Sequence, residues 1–78
     1  MVTSDQIRAA RALLRWSARE LAARAGLHLT TVQRMERGTG AVDGTASSLR
    51  KVQAALEQAG VEFLSGRGRL GVCIKDAG

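Results

Sequence analysis

Apolar residues repeat at helical spacing in four separate segments of the first 60 positions. Between these segments the polar residues cluster around glycines, as is typical of turns. The predicted inward positions are Ile7, Ala10 and Leu14 in the first segment, Leu21, Ala22 and Ala25 in the second, Val32 and Met35 in the third, and Leu49, Val52, Leu56 and Ala59 in the fourth. Trp16 and Phe63, the two aromatic residues, are expected to lie within the core formed by these helices.

Capping signals place the ends of the first two helices. Thr3 with Gln6, and Ser17 with Glu20, have the spacing of a capping box at a helix start. Gly26 has the position of a residue that ends a helix in the left-handed conformation. The second and third helices are therefore joined by the tight turn at 25–27, which predicts a helix-turn-helix.

The third helix is predicted over about 28–37, with Gly38 at its end. A glycine-rich loop without periodicity follows. Asp43 or Thr45 is the expected N-cap of the fourth helix, which Gly60 ends.

After Gly60 the pattern changes to short apolar runs at 61–64 and 72–75, which predict a β-hairpin with the connection SGRGRLG. An isolated ribbon is marginally stable in water, so it should pack on the helices or pair with a second subunit. Residues 66–71 match the dinucleotide motif G-x-G-x-x-G, but too few residues follow for its strand–helix context. A hairpin loop is the preferred interpretation, and Arg67-Gly68-Arg69 either reaches DNA or is a solvated loop.

The expected fold is mainly α: a four-helix compact helix-turn-helix domain (1–60) with a short C-terminal β-hairpin (61–78) for dimerisation or partner binding. Twelve basic against seven acidic residues give a charge of +5, which favours phosphate polymers or acidic surfaces as partners. Cys73 is the only cysteine, so an internal disulfide is excluded. Its simplest role is that of a small buried apolar residue. With a single histidine as well, we expect no metal, cofactor or catalytic site.

No apolar run approaches the ~20 residues that span a bilayer, and no charged-then-apolar leader begins the chain. We therefore expect a cytoplasmic protein without a membrane partner.

The outer face of the third helix carries the chemistry of DNA recognition. Thr30, Gln33, Arg34 and Arg37 lie opposite Val32 and Met35 on a helical wheel. Threonine donates, accepts or packs its methyl on thymine, glutamine suits adenine, and arginine suits guanine. The alternative is an ordinary corner of two helices with a solvated outer face.

The segment Ser17–Gly38 resembles the Cro/phage-repressor type of helix-turn-helix, the Xre-like class of bacterial and phage regulators. The resemblance extends over residues 6–59 and leaves out the hairpin. The residues that carry it are Ser17, Glu20-Leu21-Ala22, Ala25-Gly26, Thr31-Val32 and Met35-Glu36-Arg37-Gly38.

The resemblance implies roles for individual residues. Base contacts are implied for His28, Leu29, Thr30, Thr31 and Arg34, to which the side-chain chemistry adds Gln33. Phosphate contacts are implied for Ser17, Ala18, Arg37 and Gly38. An ion pair between Arg11 and Glu36 is also implied; the wheel independently leaves Arg11 at the core edge, where it needs an acidic partner.

Three positions depart from the family pattern. Ala18 stands where glutamine is usual, Arg15 stands where glycine is common, and the loop TGAVDG lacks the usual lysine or arginine. Phosphate affinity should then come from Arg37, Arg19, Arg8 and Arg15, or from the tail.

The sequence therefore predicts a non-enzymatic, sequence-specific DNA-binding regulator, most simply a repressor that occludes a promoter. A homodimer is expected, with Phe63, Leu64, Val72 and Ile74 of the tail as candidate interface residues. Two alternatives stay open. One is the antitoxin of a toxin–antitoxin pair, whose tail binds the toxin; the other is an adaptor that docks proteins, such as the transcription machinery, without binding DNA.

Overall fold

The computed structural model describes residues 2–38, 42 and 44–75. Four helices precede one antiparallel hairpin, as the periodicity predicts: α1 Ser4–Leu14, α2 Ala18–Ala25, α3 Leu29–Glu36, α4 Ala46–Gln58, β1 Val61–Gly66 and β2 Arg69–Ile74. Within these described ranges no helix has both the length and the apolar character needed to cross a bilayer.

Side-chain caps begin three of the helices. At α1 the box is reciprocal: Thr3 Oγ1 accepts from the Gln6 amide at 3.2 Å, and Gln6 Oε1 accepts from the Thr3 amide at 2.9 Å. At α2 the Ser17 hydroxyl accepts from the Glu20 amide at 3.0 Å. Thr45 caps α4 by accepting from the Ser48 amide at 3.1 Å. The alternative cap Asp43, and most of the loop after Gly38, lie outside the described residues.

α1 and α2 end in the same backbone motif. Gly26 (φ 70°) and Arg15 (φ 59°) both adopt the left-handed conformation, and the amide of the following residue bonds five residues back in each case. Glycine adopts this conformation without a Cβ penalty, whereas arginine does not. Arg15 thus adopts the left-handed conformation at a position where glycine is common in the family that the sequence resembles.

The core is aliphatic and lies where all four helices meet the start of the hairpin. Ile7, Leu21, Val32, Val52 and Leu56 are at most 1% exposed. The two aromatic residues were predicted within this core, and that prediction is wrong: Trp16 and Phe63 are half-buried at its edge. Leucine, isoleucine, valine, alanine and methionine side chains fill the interior, and the two rings pack against its periphery.

The hairpin is longer than predicted, because its strands include most of the expected loop. Its register pairs Val61 with Ile74 and Gly66 with Arg69, which leaves a two-residue turn. Arg67 (φ 50°) and Gly68 (φ 74°) both have positive φ, the signature of a type I′ turn that matches strand twist. The glycines of the G-x-G-x-x-G run thus serve a hairpin.

Gln6 joins α1 to the hairpin. Its side-chain nitrogen donates to the carbonyls of Leu64 and Gly71, both at 3.0 Å, and the residue is 4% exposed. These two carbonyls belong to directly paired residues. Together with the cap on Thr3, these bonds employ both ends of the Gln6 amide, so α1 and the ribbon are held as one unit.

Candidate nucleic-acid interface

The outer face of α3 is open to solvent. His28, Thr30, Gln33 and Arg34 are exposed, as is Arg37 after the helix, while Leu29 and Thr31 are half-buried at the border of the face. The opposite face is anchored by Val32 and Met35, which are 0% and 1% exposed. The residues predicted to contact bases therefore share one accessible surface.

These exposed side chains have no hydrogen-bond or ion-pair partner among the described residues. Donors and acceptors on His28, Thr30, Gln33 and Arg34 are consequently available to a ligand. Other arginines form ion pairs within the domain: Arg8, Arg11 and Arg24 each contact a carboxylate. Arg24 also stacks over the Trp16 ring, 4.4 Å from its centroid.

The residues predicted to contact phosphate lie around the start of α2 and the end of α3. Arg19, Arg37 and Gly38 are exposed, and Ala18 is half-buried. The Ser17 hydroxyl caps α2, so its role toward a phosphate would add to a structural one. Arg8, offered by the sequence as a phosphate contact, instead bonds backbone carbonyls and Asp5.

Arg11 and Glu36 form a two-pronged ion pair beneath α3. Arg11 Nε lies 2.8 Å from Glu36 Oε2, and Arg11 Nη2 lies 3.0 Å from Glu36 Oε1. The Glu36 side chain is 9% exposed and that of Arg11 25%. Arg11 also donates to the Trp16 carbonyl at 3.0 Å. The pair therefore ties α1 to α3 and to the connection before α2.

The four tail residues proposed for dimerisation divide into two groups. Phe63 and Val72 are half-buried against the domain's own core, whereas Leu64 and Ile74 are 46% and 42% exposed. Leu70, which the sequence analysis did not single out, is the most exposed large apolar residue among those that the structure describes, at 56%. The sequence analysis assigned Leu70 to the loop that connects the strands, and for this reason did not consider it as a residue of β2.

Cys73 is half-buried on β2, and not the fully buried residue expected. Its sulfur lies 3.5 Å from Glu62 Oε1. Partial burial raises the pKa of the Cys73 thiol, and the Glu62 carboxylate adds to the increase through a hydrogen bond and its charge.

Comparison with known families gives a match to the helix-turn-helix family of the Cro/C1 type, also called Xre-like, over residues 7–61. The chain belongs to this family. It is a DNA-binding helix-turn-helix regulator, and the family's match begins within α1, covers α2, α3 and α4 in full and stops at the first residue of β1. Among curated proteins none matches the chain significantly.

Sequence reasoning missed the side-chain bonds from α1 to the backbone at the end of α3. Ser4 is fully buried and donates to the Met35 carbonyl at 2.8 Å, and Arg8 donates to the carbonyls of Glu36 and Gly38. The signal available was weak: a serine and an arginine four residues apart on one face of a helix.

Proposed function

We propose that the protein is a sequence-specific transcriptional repressor that binds its operator as a homodimer, with α3 in the major groove. The observation that carries the proposal is the face of α3 whose polar side chains are exposed and have no partner among the described residues. An α-helix with its side chains is about 10–12 Å in diameter, which suits a major groove about 12 Å wide.

The proposed base contacts follow from the side-chain chemistry along α3. The Arg34 guanidinium can donate two hydrogen bonds to the two acceptors of guanine, and the Gln33 amide can form a bidentate pair with adenine. Thr30 and Thr31 offer hydroxyls and methyl groups near the start of the helix, where His28 and Leu29 also lie. We assign these six residues to base recognition.

Ser17, Ala18, Arg19, Arg37 and Gly38 are assigned to phosphate contacts that fix the orientation of α3 on the duplex. Their placement around the start of α2 and the end of α3 supports the assignment. Arg19 and Arg37 make no ion pair with a described residue, so neither has to give up a partner before binding a phosphate.

Dimerisation is proposed through the hairpin. The Lys75 amide donates to the Gly60 carbonyl at 2.8 Å, which makes these two residues a hydrogen-bonded pair. Hydrogen-bonded and non-hydrogen-bonded pairs alternate along an antiparallel ladder. Every second residue of each strand therefore directs its amide away from the partner strand, toward the edge of the hairpin. These outward amides have no backbone partner among the described residues, and such edges are templates for pairing. The exposed Leu64, Leu70 and Ile74 lie beside them. A single domain buries only ~600–1,000 Å² on DNA, so two are expected to bind together.

Sedimentation equilibrium tests the dimer with point substitutions, because Val61 is part of the core and truncation after Gly60 would disturb it. We expect a dimer for the wild type and monomers for Leu64→Asp and Leu70→Asp. Leu13→Asp is the matched control, since Leu13 is 46% exposed but lies on α1. Hairpin variants that stay dimeric would contradict the assignment.

Repression is tested by isolating bound genomic fragments and footprinting them. The proposal predicts two half-sites about 10 base pairs apart, centre to centre, that overlap a promoter whose transcription falls when the protein is added. A footprint that leaves transcription unchanged or raises it would refute repression, and no preferred fragment would refute sequence-specific binding.

A further inference from the structure

The two ends of α3 are held very differently. At its start, His28 makes no side-chain cap bond and the first turn carries no acidic residue. The last four carbonyls of a helix have no partner within it, and three of those of α3 are bonded from outside the helix ladder. Arg34 O accepts from the Arg37 amide at 3.2 Å, Met35 O from Ser4 Oγ at 2.8 Å, and Glu36 O from the Arg8 guanidinium.

Two of these three bonds come from the first turns of α1. Ser4 and Arg8 are four residues apart, which places them on one face of that helix. Ser4 is 0% exposed, and Arg8 extends further to bond the Gly38 carbonyl at 2.7 Å and to pair with Asp5. A guanidinium at this end of α3 also complements the negative end of its dipole.

We propose that Ser4 and Arg8 are positioning residues for DNA recognition: they fix the C-terminal end of α3 and the backbone at Gly38. The inference rests on the proposed function, in which α3 contacts bases. A helix of eight residues is too short to be stable alone in water. Its outer face gains no support from the described protein, so its direction depends on its buried face and on this anchored end.

This role differs from direct contact with DNA. Ser4 is fully buried and has no route to a phosphate. The Arg8 guanidinium is already bonded to two carbonyls and a carboxylate. Removing either side chain should therefore change where the side chains of α3 lie and leave the number of neutralised phosphates unchanged.

The test measures binding of the operator and of an unrelated duplex across a salt series, for the wild type, Ser4→Ala and Arg8→Ala. Operator affinity should fall about tenfold, the scale of one bidentate base contact, with the unrelated duplex much less affected. The slope of log K against log salt should not change. A slope reduced by about 0.9 in Arg8→Ala, with equal weakening on both duplexes, would make Arg8 a phosphate contact and overturn the proposal.

Arg50→Ala is the matched control, because it removes one positive charge from an exposed position on α4. It should leave the ratio of operator to unrelated affinity unchanged. A drop in that ratio as large as in Arg8→Ala would show that loss of charge alone explains the effect, and would overturn the positioning role.

Amide hydrogen exchange without DNA separates failure of this inference from failure of the proposed function. In Arg8→Ala and Ser4→Ala, amides in the second half of α3 should exchange about tenfold faster relative to those of α2, as expected for local opening. Equal changes in both helices, or none, would overturn the anchoring. A wild type that selects no operator would instead refute the proposed function, and the exchange result would still decide whether α1 anchors α3.

Discussion

Replacing Glu36 by alanine should destabilise the domain through the arginine it leaves behind. Arg11 would keep only its bond to the Trp16 carbonyl and would lose two bonds of 2.8 Å and 3.0 Å to the carboxylate. Breaking a fully buried pair costs about 3–5 kcal/mol, whereas an exposed pair is worth about 0–1 kcal/mol. With the Glu36 side chain 9% and that of Arg11 25% exposed, we expect an intermediate loss of roughly 2–3 kcal/mol.

Urea unfolding followed by circular dichroism gives this free energy by linear extrapolation. In thermal unfolding the same loss corresponds to a decrease in Tm of roughly 10–20 °C for a domain of this size. Glu57→Ala is the control, because Glu57 is an exposed carboxylate whose one side-chain bond to a described residue is to Gln53 on α4. Such a surface change should stay within about 0.5 kcal/mol.

A double-mutant cycle with Arg11→Ala isolates the pair from the other losses. The two changes should not be additive, with a coupling of about 1–3 kcal/mol. A coupling below about 0.5 kcal/mol, the usual limit for independent sites, would show that the pair does not hold α1 and α3 together. A loss for Glu36→Ala equal to that of the control would refute the reasoning from burial.

Three further predictions concern the left-handed Arg15, the bonds from Gln6 to the hairpin and the Cys73 thiol. Arg15→Gly should raise the free energy of unfolding by up to about 1 kcal/mol, because glycine adopts the left-handed conformation without strain. Lys51→Gly, the control within α4, should lower it by about 1 kcal/mol. Equal losses for the two variants in urea unfolding would contradict the left-handed conformation of Arg15. Gln6→Ala removes the two side-chain bonds from α1 to the carbonyls of Leu64 and Gly71 and should cost about 1–3 kcal/mol at about 0.5–1.5 kcal/mol for each bond, and a neutral result would refute the tie between α1 and the hairpin. The raised pKa of the Cys73 thiol means less thiolate at pH 8 than in the unfolded chain, so iodoacetamide should react more slowly with the folded protein. Glu62→Gln should speed that reaction, and an unchanged rate would contradict the effect of the carboxylate.

Local signals were enough to predict the helices and the face of α3. Caps at Thr3 and Ser17, a stop at Gly26 and the spacing of Val32 and Met35 all act within one or two turns of chain. The helices predicted from these signals are present in the structure because the tertiary contacts favour the same conformations as the local sequence does.

Side-chain bonds to the backbone of distant segments were beyond the sequence pattern. The bonds from Ser4 and Arg8 to the end of α3 join residues about thirty positions apart and end on backbone carbonyls, which carry no residue-type signal. The hairpin was underestimated for a related reason: cross-strand pairing extends β1 through Gly66 and lets Arg67 take a positive φ that a residue-by-residue reading disfavours. Trp16 was assigned to the core from its residue type, although the buried cluster consists of aliphatic side chains and Met35, with Trp16 packed against its edge.

The most direct test of the account is selection of binding sites from a randomised duplex library by the wild type and by Arg34→Ala in parallel. Arg34 is exposed on α3 and has no partner among the described residues, so it should contribute one base preference. We predict a defined consensus for the wild type and loss of a guanine preference at one position of each half-site in the variant. The same consensus from both proteins would contradict the role of Arg34, and no consensus from the wild type would contradict recognition by α3 altogether.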